Sequence, residues 1–145
     1  MIDIIKVKDY EFKNPHDLEL TDIKIIGANA GGNGAIYFDH YAHDSTLTNS
    51  SISNSSADAN GGALYIDTSK KISVSNANFT NNTAGGNGGA IFAYSGNDND
   101  HKNNPFTITD SVFKLNYADG DGGAIYSGYI ASEITNCNFT NNSAG

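Results

Sequence analysis

A unit that returns five times constrains this chain more than any other feature. Each copy holds a large apolar residue, an apolar or aromatic residue five positions on, a small or amide residue three beyond that, and then an alanine. The copies are Leu20/Ile25/Ala28/Ala30, Leu47/Ile52/Ser55/Ala57, Val74/Phe79/Asn82/Ala84, Ile108/Phe113/Asn116/Ala118 and Ile134/Phe139/Asn142/Ala144. The anchors lie 27, 27, 34 and 26 residues apart, a period at which each unit buries its apolar face only against its neighbours, so a solenoid is expected. A second column follows the alanine: Asn33-Gly34-Ala35-Ile36-Tyr37, Gly61-Gly62-Ala63-Leu64-Tyr65, Gly88-Gly89-Ala90-Ile91-Phe92 and Gly122-Gly123-Ala124-Ile125-Tyr126. From alanine to alanine the spacing is 5, 6, 6 and 6, so variation in length falls after this column, on one side of the object.

The short segments are rich in Ile, Val, Thr, Phe and Tyr, alternate in polarity and are punctuated by Gly, Asn and Asp, which reads as strands and not helices. Three short strands per coil and about five coils stacked in parallel at ~4.8 Å make a column of roughly 24 Å. In the third copy Ile72 and Val74 face inward, Asn76 bends the chain, Ala77 and Phe79 face inward again, and Asn82 and Ala84 complete that side. The bend position reads Asp22, Asn49, Asn76, Asp110 and Asn136, residues that tolerate left-handed backbone, so it is expected to be a stacked corner. In the Gly-Gly-Ala strand the aliphatic file Ile36, Leu64, Ile91 and Ile125 faces inward, and alternation sends Tyr37, Tyr65, Phe92 and Tyr126 outward as an exposed aromatic ladder. The glycine pair allows a bend at positive φ and close approach of successive backbones.

Leu, Ile, Val and Phe make up about a fifth of the 145 residues, a composition near the border of disorder that the period argues against. A single domain over 1–145 is expected, with 1–19 an incomplete first coil or cap and 20–145 the repeats. The net charge is −8, with eight lysines and no arginine, so no basic stripe exists to track nucleic acid. The one cysteine, Cys137, occupies the position of Ile23, Ser50, Ala77 and Ser111 and reads as a small inward filler. No apolar run reaches the ~20 residues of a membrane span, and residues 1–6 do not read as a signal peptide. The repeat pattern calls for another Gly-Gly-Ala strand after Gly145, so the chain is expected to be an excerpt of a longer repeat protein, its open end covered by a further coil, a cap or end-to-end self-association.

At the two columns the sequence resembles the repeat of bacterial polymorphic outer-membrane proteins and the related archaeal adhesin-like proteins. The residues that carry the resemblance are Gly61-Gly62-Ala63-Leu64, Gly88-Gly89-Ala90-Ile91 and Gly122-Gly123-Ala124-Ile125, alternating in fixed phase with Phe79-Thr80-Asn81-Asn82, Phe113-Lys114-Leu115-Asn116 and Phe139-Thr140-Asn141-Asn142. The first two copies depart, with Ile25 and Ile52 for Phe, Ala28 and Ser55 for Asn, and Asn33 for the first glycine. The resemblance implies an all-β, right-handed single-stranded parallel β-helix, extracellular or on a cell surface, serving as a non-catalytic adhesin-like passenger or spacer. The partner it implies is a glycan or protein of a host or neighbouring cell, and it brings no catalytic residue.

The ladder Tyr37, Tyr65, Phe92 and Tyr126 is the candidate binding surface, either for sugar rings or for another protein, unless the rings only stack on one another. Carboxylates gather after the Gly-Gly-Ala strand, at Asp39, Asp44, Asp67, Asp98 and Asp100. These are the residues a polysaccharide lyase or hydrolase on this scaffold would use, which is the enzyme alternative. Asp98 and Asp100, with Asp119 and Asp121, offer fragments of a calcium loop without its spacing or its Glu, and His40 and His43 lie three apart with no cysteine near for zinc; no cofactor is expected, with calcium at the four aspartates as the alternative. Six N-glycosylation triplets begin at Asn49, Asn54, Asn78, Asn81, Asn138 and Asn141. Asn78 and Asn138 flank inward Phe anchors and are expected to point outward.

Overall fold

The computed structural model describes residues 18–38, 44–67, 71–95 and 106–145, none of them helical. Most of the expected first partial coil lies outside these residues. The first turn holds β1 (Glu19–Thr21), β2 (Lys24–Ile26), β3 (Asn29–Ala30) and β4 (Ile36–Phe38), and the second β5 (Ser45–Thr48), β6 (Ser51–Ser53), β7 (Ser56–Ala57) and β8 (Leu64–Asp67). The third holds β9 (Ile72–Ser75), β10 (Asn78–Thr80), β11 (Thr83–Ala84) and β12 (Ile91–Tyr94). The fourth holds β13 (Phe106–Thr109), β14 (Val112–Lys114), β15 (Tyr117–Ala118) and β16 (Ile125–Gly128), followed by β17 (Ser132–Thr135), β18 (Asn138–Thr140) and β19 (Ser143–Ala144). Like strands stack into four sheets, β1-β5-β9-β13-β17, β18-β14-β10-β6-β2, β19-β15-β11-β7-β3 and β16-β12-β8-β4. All pairs are parallel, so the chain is a parallel β-solenoid of a little over four turns.

Each turn carries four strands, one more than the sequence suggests. The expected corner is present, with positive φ at Asp22, Asn49, Asn76, Asp110 and Asn136. A second corner, at Gly27, Asn54, Asn81, Leu115 and Asn141, is also left-handed throughout. It splits the segment from Phe79 to Ala84 into β10 and β11. Asn and Gly adopt this backbone at little cost; a leucine does so only against its side chain's sterics.

The anchors meet in register, as the period requires. Leu20, Leu47, Val74, Ile108 and Ile134 form one file, and Ile25, Ile52, Phe79, Phe113 and Phe139 another. The Phe79 and Phe113 rings stack at 5.0 Å and 10°, and Phe113 and Phe139 at 4.8 Å and 7°, each pair adding about 0.5–1.5 kcal/mol to its burial. Val74, Phe79, Ile91, Ile108 and Phe113 are essentially inaccessible to solvent.

Beside the rings runs a buried amide file. Asn82 Nδ2 donates to Asn116 Oδ1 at 3.0 Å, and Asn116 Nδ2 to Asn142 Oδ1 at 2.9 Å. Each amide also donates to a backbone carbonyl, Asn82 to Ile52 and Asn116 to Phe79, and each Oδ1 accepts a backbone N–H of the preceding turn. A wholly buried carboxamide is tolerated because all its polar atoms are satisfied. A hydroxyl file runs parallel: Ser50 and Ser111 Oγ donate to the carbonyls of Thr48 and Thr109, and accept from the N–H of Ile23 and Ala77. Cys137 Sγ takes the same role toward the Thr135 carbonyl at 3.3 Å, which is the filler expected of it.

The first copy needs a different alignment from the one its sequence suggests. Asn33 does not replace the first glycine. The Asn60 N–H donates to Asn33 Oδ1, the Asn87 N–H to Asn60 Oδ1 and the Asp121 N–H to Asn87 Oδ1, so Asn33 heads a ladder of its own. Gly34, Gly61, Gly88 and Gly122 then share the positive-φ position, and the residue missing from the first copy is the second glycine. In later turns that position admits no side chain: a Cβ on Gly89 would collide with the carbonyl of Gly123 and the backbone of Tyr117.

Two stability measurements follow, both by urea denaturation. Asn116→Ala leaves the Asn82 N–H and Asn82 Nδ2 without their shared acceptor in the core and is expected to cost about 3 kcal/mol. Leu115→Asn relieves a left-handed leucine and is expected to stabilise the chain by about 1 kcal/mol.

Candidate binding face

The outer face of the fourth sheet gathers the aromatic residues. Along β4, β8, β12 and β16, alternation buries Ile36, Leu64, Ile91 and Ala93 and turns Tyr37, Tyr65, Phe92 and Tyr126 outward in register. Tyr37 meets Tyr65 edge-on at 5.0 Å, Tyr65 stacks on Phe92 at 5.0 Å and 11°, and Phe92 on Tyr126 at 5.1 Å and 3°. The ladder is therefore real but not uniformly exposed. Tyr37 is 49% exposed, Tyr65 and Tyr126 are half-buried, and Phe92 is buried at 7%. Phe92 is enclosed because its two faces are taken by Tyr65 and Tyr126 and its flank by Tyr94, 6.1 Å away. Stacked rings spend their faces on one another and present edges to solvent.

Two aromatic residues join the face without having been read from the repeat. Tyr94 lies two residues beyond Phe92 on β12, hence on the same side of the strand, a signal that alternation alone contained. Tyr129 sits in the connection after β16 at positive φ, 73% exposed, and packs edge-on against Tyr94 at 5.6 Å. Gly128 makes the arrangement fit, since a Cβ there would stand 3.0 Å from the Tyr126 ring and 3.2 Å from the Tyr94 ring.

Asp67 belongs to this face. It is half-buried at the end of β8, two residues beyond Tyr65 and in register with Tyr94. Burial foremost, then the Asp67 carboxylate and Tyr94, push the Tyr65 phenol above its ordinary pKa of 10.0. Among the other expected acids, Asp44 is exposed at the start of the second turn. Asp39, Asp98, Asp100, His40 and His43 lie outside the described residues. Asp119 accepts a hydrogen bond from the Tyr117 hydroxyl, which raises that phenol's pKa, and Asp121 is exposed at the bend before Gly122. No group of three or more His, Cys, Asp or Glu side chains suited to a metal ion gathers among the described residues. No helix there is long and apolar enough to cross a membrane.

One comparison agrees with this geometry. Residues 76–94 and 110–128 match the family model of the Chlamydia polymorphic membrane protein repeat. Each matched segment runs from the first corner through the stacked Phe and the buried Asn to the Gly-Gly-Ala strand, so the resemblance read from the motifs holds at the third and fourth copies. No curated protein and no solved structure matches the chain. The solenoid and the repeat together fit a surface-exposed repeat protein, and the matched family is not one of enzymes.

The folded chain holds the Tyr65 proton more tightly than the unfolded chain, so this group's contribution to stability is intact below pH 10.0 and is lost as pH rises through the folded pKa. Alkaline titration followed by phenolate absorbance, with Tyr65→Phe to assign the signal, should show Tyr65 ionising late. Asp67→Asn should bring that ionisation down by removing the neighbouring negative charge.

Proposed function

We propose that this chain is a non-catalytic, adhesin-like module carried on a cell surface, which engages a glycan of a host or neighbouring cell through the outer face of the fourth sheet. The observation that carries the reading is the rim of that face: Tyr94 stands beside Asp67 in register and Tyr129 packs edge-on against Tyr94, at the end of the sheet where connections of variable length leave it, while Tyr37 is exposed at the first turn of the ladder. Aromatic rings pack on the apolar face of a pyranose, and a carboxylate accepts hydrogen bonds from its hydroxyls. A net charge of −8 works against polyanionic partners and favours a neutral, hydroxyl-rich one. Since Tyr65, Phe92 and Tyr126 stack on one another, they set the height and spacing of the face while the rim makes contact. The rigid column holds the face at a fixed distance from the point of attachment.

A glycan array probed with the purified domain tests this reading. Tyr129→Ala and Tyr94→Ala are each expected to weaken binding by about tenfold, corresponding to about 1.4 kcal/mol at a contact residue. Tyr65→Phe keeps the stack and should bind as the parent does. Unchanged binding in both alanine variants, or binding to no glycan, would refute the assignment.

A further inference from the structure

The six Asn-x-Ser/Thr triplets divide into two structural kinds. Asn49, Asn54, Asn81 and Asn141 sit at the left-handed corners, with φ of 51, 52, 54 and 53. Amides at three of these corners are used by the solenoid: Asn76 Nδ2 donates to Asn49 Oδ1 at 2.6 Å, and Asn81 Nδ2 to Asn54 Oδ1 at 2.8 Å. Chain direction also changes at the corner, so the asparagine and the hydroxyl two residues on do not share one extended face. Asn78 and Asn138 differ on every count. Both lie within strands, β10 and β18, and both are exposed. In the first triplet the middle residue is the core anchor Phe79, fully buried, which forces Asn78 and Thr80 onto the outer side together. Asn138 and Thr140 share a side likewise, and the Thr140 hydroxyl donates to Asn138 Oδ1 at 3.1 Å. Asn78 stands between Ser51 and Val112 of the flanking strands, neither of which offers an amide to tie it down.

We infer that Asn78 and Asn138 are N-glycan acceptors of the folded protein and that the four corner asparagines are not. The donor is an oligosaccharide carried on a lipid diphosphate, presented by a membrane-bound transferase. The Asn78 Nδ2–H bond breaks and its proton passes to a carboxylate of the transferase. Nδ2 then bonds to C1 of the first sugar as the C1–O bond to phosphate breaks and the lipid diphosphate leaves. A transferase that reads the amide together with the hydroxyl two residues on finds both at once only on β10 and β18. The two acceptors lie on one file, separated by the strand that bears Val112, hence about 10 Å apart. Glycans there would coat the second sheet and leave the aromatic face of the fourth uncovered. The inference stands on the second sheet alone and survives if the aromatic face binds nothing.

Incubation of the folded protein with an oligosaccharyltransferase and its lipid-linked donor, followed by peptide mapping by mass spectrometry, tests it, with urea-unfolded chain as the comparison. Occupancy at Asn78 and Asn138 of the folded protein should exceed that at Asn49, Asn54, Asn81 and Asn141 by about tenfold, or about 1.4 kcal/mol. In the unfolded chain the difference should vanish. Thr80→Ala should abolish modification of Asn78 alone, and Thr80→Ser should retain it. Comparable occupancy at the corner asparagines of the folded protein, or none at Asn78 and Asn138 whatever the unfolded chain shows, would overturn the inference.

Discussion

Residues of successive turns must meet at the same height, and from the second turn onward the buried amide file is the contact that enforces this. Parallel backbone ladders pair equally well after a shift of two residues, because such a slip keeps every side chain on its own side of the sheet. The carboxamides do not tolerate it. Asn116 bridges the turn on either side of it and caps the Phe79 carbonyl, so a shifted turn would leave several buried polar atoms unpaired at about 1–3 kcal/mol each. Shape adds to this demand, since the neighbouring Phe79, Phe113 and Phe139 rings lie face to face only when the amides do.

The same vertical spacing governs both sides of the fourth sheet with opposite consequences. Inside, it brings aliphatic groups into contact and excludes water. Outside, it sets Tyr65, Phe92 and Tyr126 at ring separations of 5.0 and 5.1 Å, close enough that they satisfy one another. A repeated aromatic position thus becomes self-occupied wherever it is regular, and the more exposed ring in the later turns, Tyr129, lies at a position that breaks the regularity. Tyr94 and Tyr129 are such positions, and Asp67 among them supplies the charge that a row of phenols lacks.

Departures from the local rules fall in two places. Among the described residues, left-handed backbone outside glycine is confined to Asn and Asp except at Leu115 and Tyr129. Both are exposed, so no burial offsets the strain, and strain of this kind concentrates where a side chain is held out for use. Tyr129 belongs to the rim of the aromatic face. Leu115 interrupts the corner where Asn81 and Asn54 share a hydrogen bond, close to the exposed Tyr117; nothing in the structure explains its presence.

Much of this architecture was legible before any coordinates. The apolar period set the solenoid, the inward files and the first corner, because each follows from spacing along one strand and from residues that accept left-handed backbone. Sequence did not count the strands in a turn, since Leu115 interrupts the run of left-handed-tolerant Gly27, Asn54, Asn81 and Asn141 that marks the second corner. Nor could it align the first copy, where one deleted glycine leaves Asn33 looking like a substitution until the Asn60 N–H is seen to reach it. Only the tertiary structure decided which aromatic residues are exposed and which are enclosed, because Phe92 and Tyr37 occupy the same repeat position and adjacent turns cover both faces of the Phe92 ring, while Tyr37 meets a ring on one side. Position within the repeat is a property of the chain; exposure is a property of the stack.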